Sequence, residues 1–548
     1  MDSRDSTSSS DAHGESSCIG PQDIIATAIL FLTALLIRLY LLRSFDVIST
    51  DGTSYARAAL ALKSGDVSGI SVYGFYPVLI WLANILVTDV ELAGRLVSVT
   101  FGSLLVVPLY LLGTALYSRP VAIAACLVSM VWPSLLGWSC EVMTQATYTT
   151  LVIGGVYLVW RMFRDNAPTW GCAAGALLGL AYLTRPEGIL ILLAAPLAPY
   201  LLSYRELPSR WRPLAGYLGS FLLLFCLNIV LVRQATGHWQ LSAKTGSALT
   251  DALQYYLGIP DMNYIPNYQA KGYLDLLRDY PGFLSTNIIK NSREALQTML
   301  PIPLWLLAIA GFLTGGFSRM ANIRRLFLLA TFTPLLVIVA FYYIGPEYTQ
   351  PYLPVLLVWA GAGVISLGDA LVRKLKPADS RWPARVTIPT VTIVAAAFFM
   401  GSLLVRQLPA RATDTPYNPE MDGGRRDQKN VGLILKQQLP PGKIMTRWAR
   451  IAFYAEREWV NIPNTSHDEI MKAARASKVR FLIVDGELIN YRPGLSPELF
   501  RLFGPEFPQK ILSTNTVRTA RVVPGLLPYF IYRDPSSTGV AVYEIVPD

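Results

Sequence analysis

Asp51 closes the stretch from Asp46 to Asp51 just past an apolar run, where a carboxylate meets both a membrane surface and water. Such a carboxylate can take a proton from an incoming hydroxyl or amine. It can equally cap a helix beginning at Thr53, and the two roles are compatible. Glu141 sits at an abrupt turn, Trp138 to Met143, between two apolar runs. An acid at membrane depth is costly and defaults to a functional reading; the plainer account is an interface marker beside a belt tryptophan. Arg185-Pro186-Glu187 occupies another such turn. Its cation could bind a lipid phosphate, or the three residues form a proline-punctuated break with an internal Arg–Glu pair.

Further cations lie in the polar segment 233–299: His238, Lys244, Lys271, Lys290 and Arg293. Positive charge there would stabilise a phosphate leaving group as its bond breaks, though most of these residues need only solvate the loop. Lys244, framed by small residues from Ser242 to Gly246, is the preferred one. Tyr73, Phe75 and Tyr76 form one aromatic group and Tyr255 and Tyr256 another. Belt packing explains such groups, and aromatic rings also line sugar sites. The three histidines, His13, His238 and His467, are too scattered for a Ser-His-Asp or multi-histidine metal reading. Two loop carboxylates leave room for a divalent cation without defining a site, and no other cofactor signature is present. Five cysteines without a CxxC pair point to neither a disulfide framework nor a zinc knuckle.

The elements that must hold these residues are mostly membrane spans. The 548 residues are 52% hydrophobic and only 15% charged, with mean hydropathy +0.39, whereas a soluble domain carries about a quarter charged residues. The excess gathers into eleven apolar runs, near 23–44, 91–117, 119–138, 142–160, 168–184, 187–203, 213–232, 300–317, 325–343, 351–371 and 386–405. Each approaches the length needed to cross a bilayer. The net charge of +10 needs no nucleic acid partner, because lysine and arginine at span ends account for it. Thirteen basic residues fall in alternate short connections, from Arg161 to Arg385, against Arg185 alone in the intervening ones. That asymmetry puts the first set in the cytoplasm and the segments 45–90, 233–299 and 406–548 outside.

The polar tail 1–22 precedes a run too long for a cleavable signal, so the first span is expected to stay attached. Within 45–90, Tyr76 to Thr88 would rise only about 20 Å as a helix, too short to cross, and is read as lying in the interface. Thr53 to Lys63 is a second short helix, followed by turns at Gly65 and Gly69. The 23–405 region is thus a membrane domain, and 406–548 changes character, with strands at Lys443–Thr446 and Val479–Asp485 and helices at Gln428–Gln438 and His467–Ala476. This alternation predicts a small α/β domain with some parallel sheet. It lacks a GxGxxG or P-loop pattern, and no internal repeat is evident.

One span, a first loop bearing Asp51 and Tyr55, interfacial helices and Glu141 together resemble the C-type glycosyltransferases, nearest their protein O-mannosyltransferase and lipid A aminoarabinose transferase branch. Leu183 to Gly188 is similar to a common segment of these proteins, and Tyr348, Pro351 and Pro354 to their Tyr-x-x-Pro-x-x-Pro stretch. The resemblance covers roughly 23–400 and implies transfer of a sugar, with inversion, from a polyprenyl-phosphate donor to a lipid, glycan or protein acceptor outside the cytoplasm. It implies Asp51 as base and Glu141 as a supporting acid for the acceptor or an ion. Tyr55, Tyr76, Arg185, Lys244 and Tyr348 would be substrate-binding, and the setting a plasma (bacterial inner) membrane. The chain departs from many relatives at Gly52, where they carry glutamate, at the residue before Pro77, where they carry a basic residue and this chain Tyr76, and at Glu347, where they often carry arginine. A transporter or flippase of a lipid-linked sugar is the alternative; such proteins place their ionisable or broken-helix sites near the midplane, whereas here the charges cluster at span ends.

Overall fold

The computed structural model describes residues 19–197, 207–243, 245–258, 273–316, 318–342, 345–375, 426–438, 440–486, 488–503, 523–532 and 539–546. Lys244 and Lys271, the run 386–405 and most of the 1–22 tail lie outside them. Among the described residues, every expected apolar run up to residue 371 carries a helix. In chain order the first eleven helices are α1 (Pro21–Leu42), α2 (Thr50–Lys63), α3 (Ser68–Tyr73), α4 (Tyr76–Leu86), α5 (Val90–Leu104), α6 (Val106–Leu116), α7 (Arg119–Val131), α8 (Pro133–Trp138), α9 (Gln145–Asp165), α10 (Pro168–Thr184) and α11 (Gly188–Ala194).

Among the described residues, five helices are long and apolar enough to cross a membrane alone: Pro21–Leu42, Val90–Leu116, Trp211–Thr236, Arg319–Phe341 and Glu347–Ala370. Phe283–Met299 and Ile302–Leu313 meet at 93° and make a sixth if counted as one bent span. Of the eleven expected spans, the run 386–405 lies outside the described residues and 187–203 is described only to residue 197; among the rest, proline divides some runs and polarity marks others. The 119–138 run breaks at Trp132-Pro133 into α7 and α8, and α10 stops after 17 residues before Arg185-Pro186. Helix α9 is instead enclosed, its buried face including Thr147, Thr149 and Thr150 toward its first turns. The Thr150 hydroxyl donates to the Phe101 carbonyl of α5 at 2.7 Å, a partner that a lipid-facing helix would lack. Small residues let α10 approach the helix Leu207–Thr236: a Cβ on Gly171 would stand 2.1 Å from the Pro213 carbonyl oxygen, and one on Gly175 2.1 Å from that of Tyr217.

The short helices of the 45–90 segment pack on one end of this bundle. Helix α4 has 11 residues, about 16 Å of rise, and leaves Ile85 and Leu86 exposed, as a helix too short to span would. Gly65 does turn the chain, at φ +81°, but Gly69 lies inside α3, where the absent side chain admits Ala58 of α2. Ser49 rather than Asp51 caps α2, accepting a hydrogen bond from the Gly52 amide at 3.0 Å. The helix therefore starts at Thr50, leaving the Asp51 carboxylate uncommitted to the cap.

The C-terminal region is a mixed five-stranded sheet of order β2-β1-β3-β5-β4, with β1 (Lys443–Met445), β2 (Trp459–Val460), β3 (Val479–Asp485), β4 (Leu526–Tyr532) and β5 (Val540–Ile545). β1 runs parallel to β2 and β3, and β5 antiparallel to β3 and β4. β3 is central and covered on both faces, so its sequence is a nearly unbroken apolar run. Helices Arg426–Gln438, Ala449–Tyr454 and His467–Ala476 flank it.

Candidate functional site

The site grows from the meeting of α2 with the turn between α8 and α9. Gly52 makes that meeting possible: a Cβ there would lie 2.7 Å from Ser49 Oγ and 2.9 Å from both Ile48 Cγ1 and the Val142 carbonyl oxygen. A glutamate in its place would force the turn away, which is a steric account of the departure at this position. The Ser49 hydroxyl reaches Met143 Sδ at 3.1 Å. Asp51 is thereby set beside the Glu141 turn while remaining exposed, in the first turn of α2, where the helix dipole favours negative charge.

Glu141 is buried at 2% exposure. Its turn is pinned from two sides. Arg38, fully buried in α1, donates from Nε to Ser139 Oγ at 2.9 Å and from Nη1 to the Ala34 carbonyl at 3.2 Å. Tyr76 of α4 bonds Ser98 at 2.7 Å, and Ser98 is 3.2 Å from the Met143 carbonyl it donates to. Burial pushes the Tyr76 phenol up, with the Glu141 charge adding to the shift. Arg38 was missed in the sequence, although a cation inside an apolar run is itself a signal.

Tyr55, four residues past Asp51, connects this half of the site to the Arg185 turn. Its ring meets those of Tyr73 and Tyr76 edge-on, at 5.8 and 5.3 Å. Burial pushes the phenol up, and the charges of Asp51, Arg185 and Glu187 all act on it. Arg185 and Glu187 form the internal pair expected of that turn, Nε to Oε1 at 2.5 Å. The guanidinium lies over the Tyr348 ring at 5.0 Å and toward Tyr148 at 5.9 Å. Burial opposes its charge, but Glu187 and the neighbouring phenols hold it well above the usual arginine range.

The Arg185 turn is bolted to the 45–90 segment at Gly74. There φ is +73°, and a Cβ would stand 2.0 Å from the Leu183 carbonyl oxygen, which accepts the Phe75 amide at 2.9 Å. Six of the seven residues singled out in the sequence, Asp51, Tyr55, Tyr76, Glu141, Arg185 and Tyr348, are thus brought into one connected neighbourhood, and Lys244 lies outside the described residues. Lys290 instead lies over the Tyr255 ring at 3.7 Å. Sequence reading also passed over Thr144, which hydrogen-bonds the Tyr55 phenol, and Tyr148 beneath Arg185. Among the described residues no three His, Cys, Asp or Glu side chains converge as a metal site requires. The arrangement offers an exposed carboxylate and a shielded cation beside buried phenols.

Residues 75–232 match a family model described as dolichyl-phosphate-mannose-protein mannosyltransferase. No curated protein sequence matches the chain significantly. Among solved structures, the chain is similar to ArnT from Cupriavidus metallidurans bound to undecaprenyl phosphate, with TM-score 0.55 and 15% identity over 94% of this chain and 97% of that one. It is similar also to the oligosaccharyltransferase of Archaeoglobus fulgidus tethered to an acceptor peptide, with TM-score 0.55 and 12% identity over 86% of this chain and 71% of that one. A second structure from that organism, AglB with an inhibitory peptide and dolichol-phosphate, gives 0.53 and 12% over 86% and 70%.

Proposed function

We propose that this chain, whose residues 75–232 match a dolichyl-phosphate-mannose-protein mannosyltransferase model and whose fold is similar to that of ArnT, is a C-type glycosyltransferase, a multi-pass membrane enzyme that moves a sugar from a polyprenyl-phosphate donor to a lipid, glycan or protein acceptor on the extracytoplasmic side. The observation that carries the reading is the single neighbourhood in which exposed Asp51 and shielded Arg185 both act on Tyr55. In it, the acceptor hydroxyl or amine gives its proton to the Asp51 carboxylate and attacks the anomeric carbon opposite the phosphate. The sugar–phosphate C–O bond breaks, the anomeric centre inverts, and the electron pair leaves on the lipid phosphate. That oxygen needs no protonation, because a phosphate is a stable anion and Arg185 faces its charge. Asp51 then returns its proton to water.

Glu141 shapes the acceptor side of the neighbourhood, and Lys244 supplies a second cation for the donor. Tyr55, Tyr76 and Tyr348 offer rings and hydroxyls to the sugar. The ligand-bearing relatives, one with undecaprenyl phosphate and one with dolichol-phosphate, support the lipid class of donor. The proposed setting is a plasma (bacterial inner) membrane, oriented by the charge asymmetry with the basic connections in the cytoplasm.

The test is transfer from a panel of radiolabelled polyprenyl-phosphate sugars in membranes containing the full chain, with lipid, glycan and protein fractions counted separately. The expected result is label in one fraction, which names the acceptor class. Label in none, with folded protein and a competent panel, overturns the reading in favour of a lipid-linked sugar transporter.

A further inference from the structure

We infer that the C-terminal domain sets the position of Asp51, and that Tyr454 is the positioning residue through which it does so. This rests on the reading of Asp51 as base. Residues 43–49, between α1 and α2, form neither helix nor strand, and irregular backbone cannot order itself; its polar groups must be satisfied from elsewhere. Here three of them, the Phe45 and Asp46 carbonyls and the Ile48 amide, are taken by two distant parts of the chain.

The Phe45 carbonyl accepts from Arg95 of α5. The Asp46 carbonyl accepts from Lys429 Nζ at 2.6 Å, and its carboxylate faces Lys429 at 3.3 Å and Arg426 at 3.2 Å. The Ile48 amide donates to the Tyr454 hydroxyl at 2.9 Å. That hydroxyl in turn donates to Glu91 Oε2 at 3.0 Å, and Glu91 Oε1 is paired with Arg95 Nη2 at 2.6 Å. The result is a closed ring from Tyr454 through Glu91, Arg95 and Phe45 back along the chain to Ile48. A phenol suits the junction because it has one proton to give and lone pairs to accept with. Burial, with the Glu91 charge beside it, pushes the Tyr454 phenol up, so it stays protonated as a donor.

The ring reaches Asp51 by contact. The Ile48 side chain is fully buried, and its Cγ1 stands 2.9 Å from where a Gly52 Cβ would be. Ile48 is thus packed against the first turn of α2, which carries Asp51. Three of the groups that hold 45–48, Tyr454, Lys429 and Arg426, lie beyond residue 425. A catalytic carboxylate displaced by about 1 Å can lose a hundredfold in rate.

Tyr454→Phe keeps the ring that packs among Val47, Ile48 and Phe453 while removing the hydroxyl. In full-length protein in membranes, kcat is expected to fall about tenfold to a hundredfold while the donor KM stays within about twofold. Amide hydrogen exchange at residues 45–52 is expected to rise about tenfold, with β1 and β3 unchanged. A variant that matches wild type in both kcat and exchange at 45–52 overturns the inference, as does one that loosens β1 and β3 equally, which would make Tyr454 a stability residue. Should that variant not fold, Lys429→Met tests the same segment and is expected to raise the same exchange. Lys436→Ala, which breaks a pair with Glu456 elsewhere on the domain, is expected to match wild type. If wild type transfers no label, the proposed function fails, while the exchange measurement still decides whether Tyr454 holds the segment.

Discussion

The two carboxylate-bearing segments face one another across Gly52 and the Val142 carbonyl, yet they are built for opposite conditions. Asp51 is exposed on the first turn of a helix already capped by Ser49, open to water as the proposed base must be. Glu141 is buried in a turn whose neighbours are fixed by Arg38, Ser98 and Tyr76. A buried acid in a pinned turn shapes a surface better than it shuttles protons. The difference supports the two roles proposed for these carboxylates, a separation that sequence could state only as two candidates.

Substitutions can break that contrast, in descending order of effect. Asp51→Asn keeps the size of the side chain and removes the base, so transfer should fall about a thousandfold with the fold retained; near-normal turnover would make Asp51 a surface residue. Arg185→Ala should lower kcat/KM for the donor about a hundredfold, because it strips the shielded cation and leaves Glu187 unpaired in a half-buried turn. Gly52→Ala places a methyl 2.9 Å from the Val142 oxygen and parts the two segments. The expected loss is about tenfold in kcat, and an unchanged rate would mean that their apposition is unimportant. Glu141→Gln keeps the shape of the buried turn and should cost only a few fold; a loss as large as that of Asp51→Asn would erase the contrast.

The smallest effect is one of pH on the C-terminal domain. Burial lowers the His467 pKa, partly opposed by Asp468, so the unfolded chain takes up the proton more readily than the folded one. Stability from this group is complete above the ordinary histidine range, near about 6.5, and is lost as the pH drops through it toward the lowered folded value. His467→Gln should flatten that dependence in thermal melts between about pH 7 and pH 5.

The parts legible in the sequence are those governed by local pattern. β3 and the helix His467–Ala476 fall where composition put them, because a central strand reads as an unbroken apolar run and Ser466 with Asp468 and Glu469 makes a strong helix start. The short α4 was legible from its length. The start of α2 was not, since Ser49 and Asp51 are both good caps and only the fold decides between them. Helix α3 was hidden by Gly69, whose value is the close approach to Ala58 rather than a turn. Least legible was the hold of the C-terminal domain on the 45–48 segment, because the bond from Ile48 to Tyr454 joins residues 406 positions apart and neither has an unusual local setting.

The central claim is that Asp51 performs the proton transfer and Glu141 does not. It is tested most directly by single-turnover transfer from a saturating labelled polyprenyl-phosphate sugar, measured in wild type, Asp51→Asn and Glu141→Gln at equal bound donor. The account predicts that all three bind donor alike and that only Asp51→Asn loses the chemical step, by about a thousandfold. Wild-type chemistry in Asp51→Asn, or an equal loss in Glu141→Gln, would contradict it.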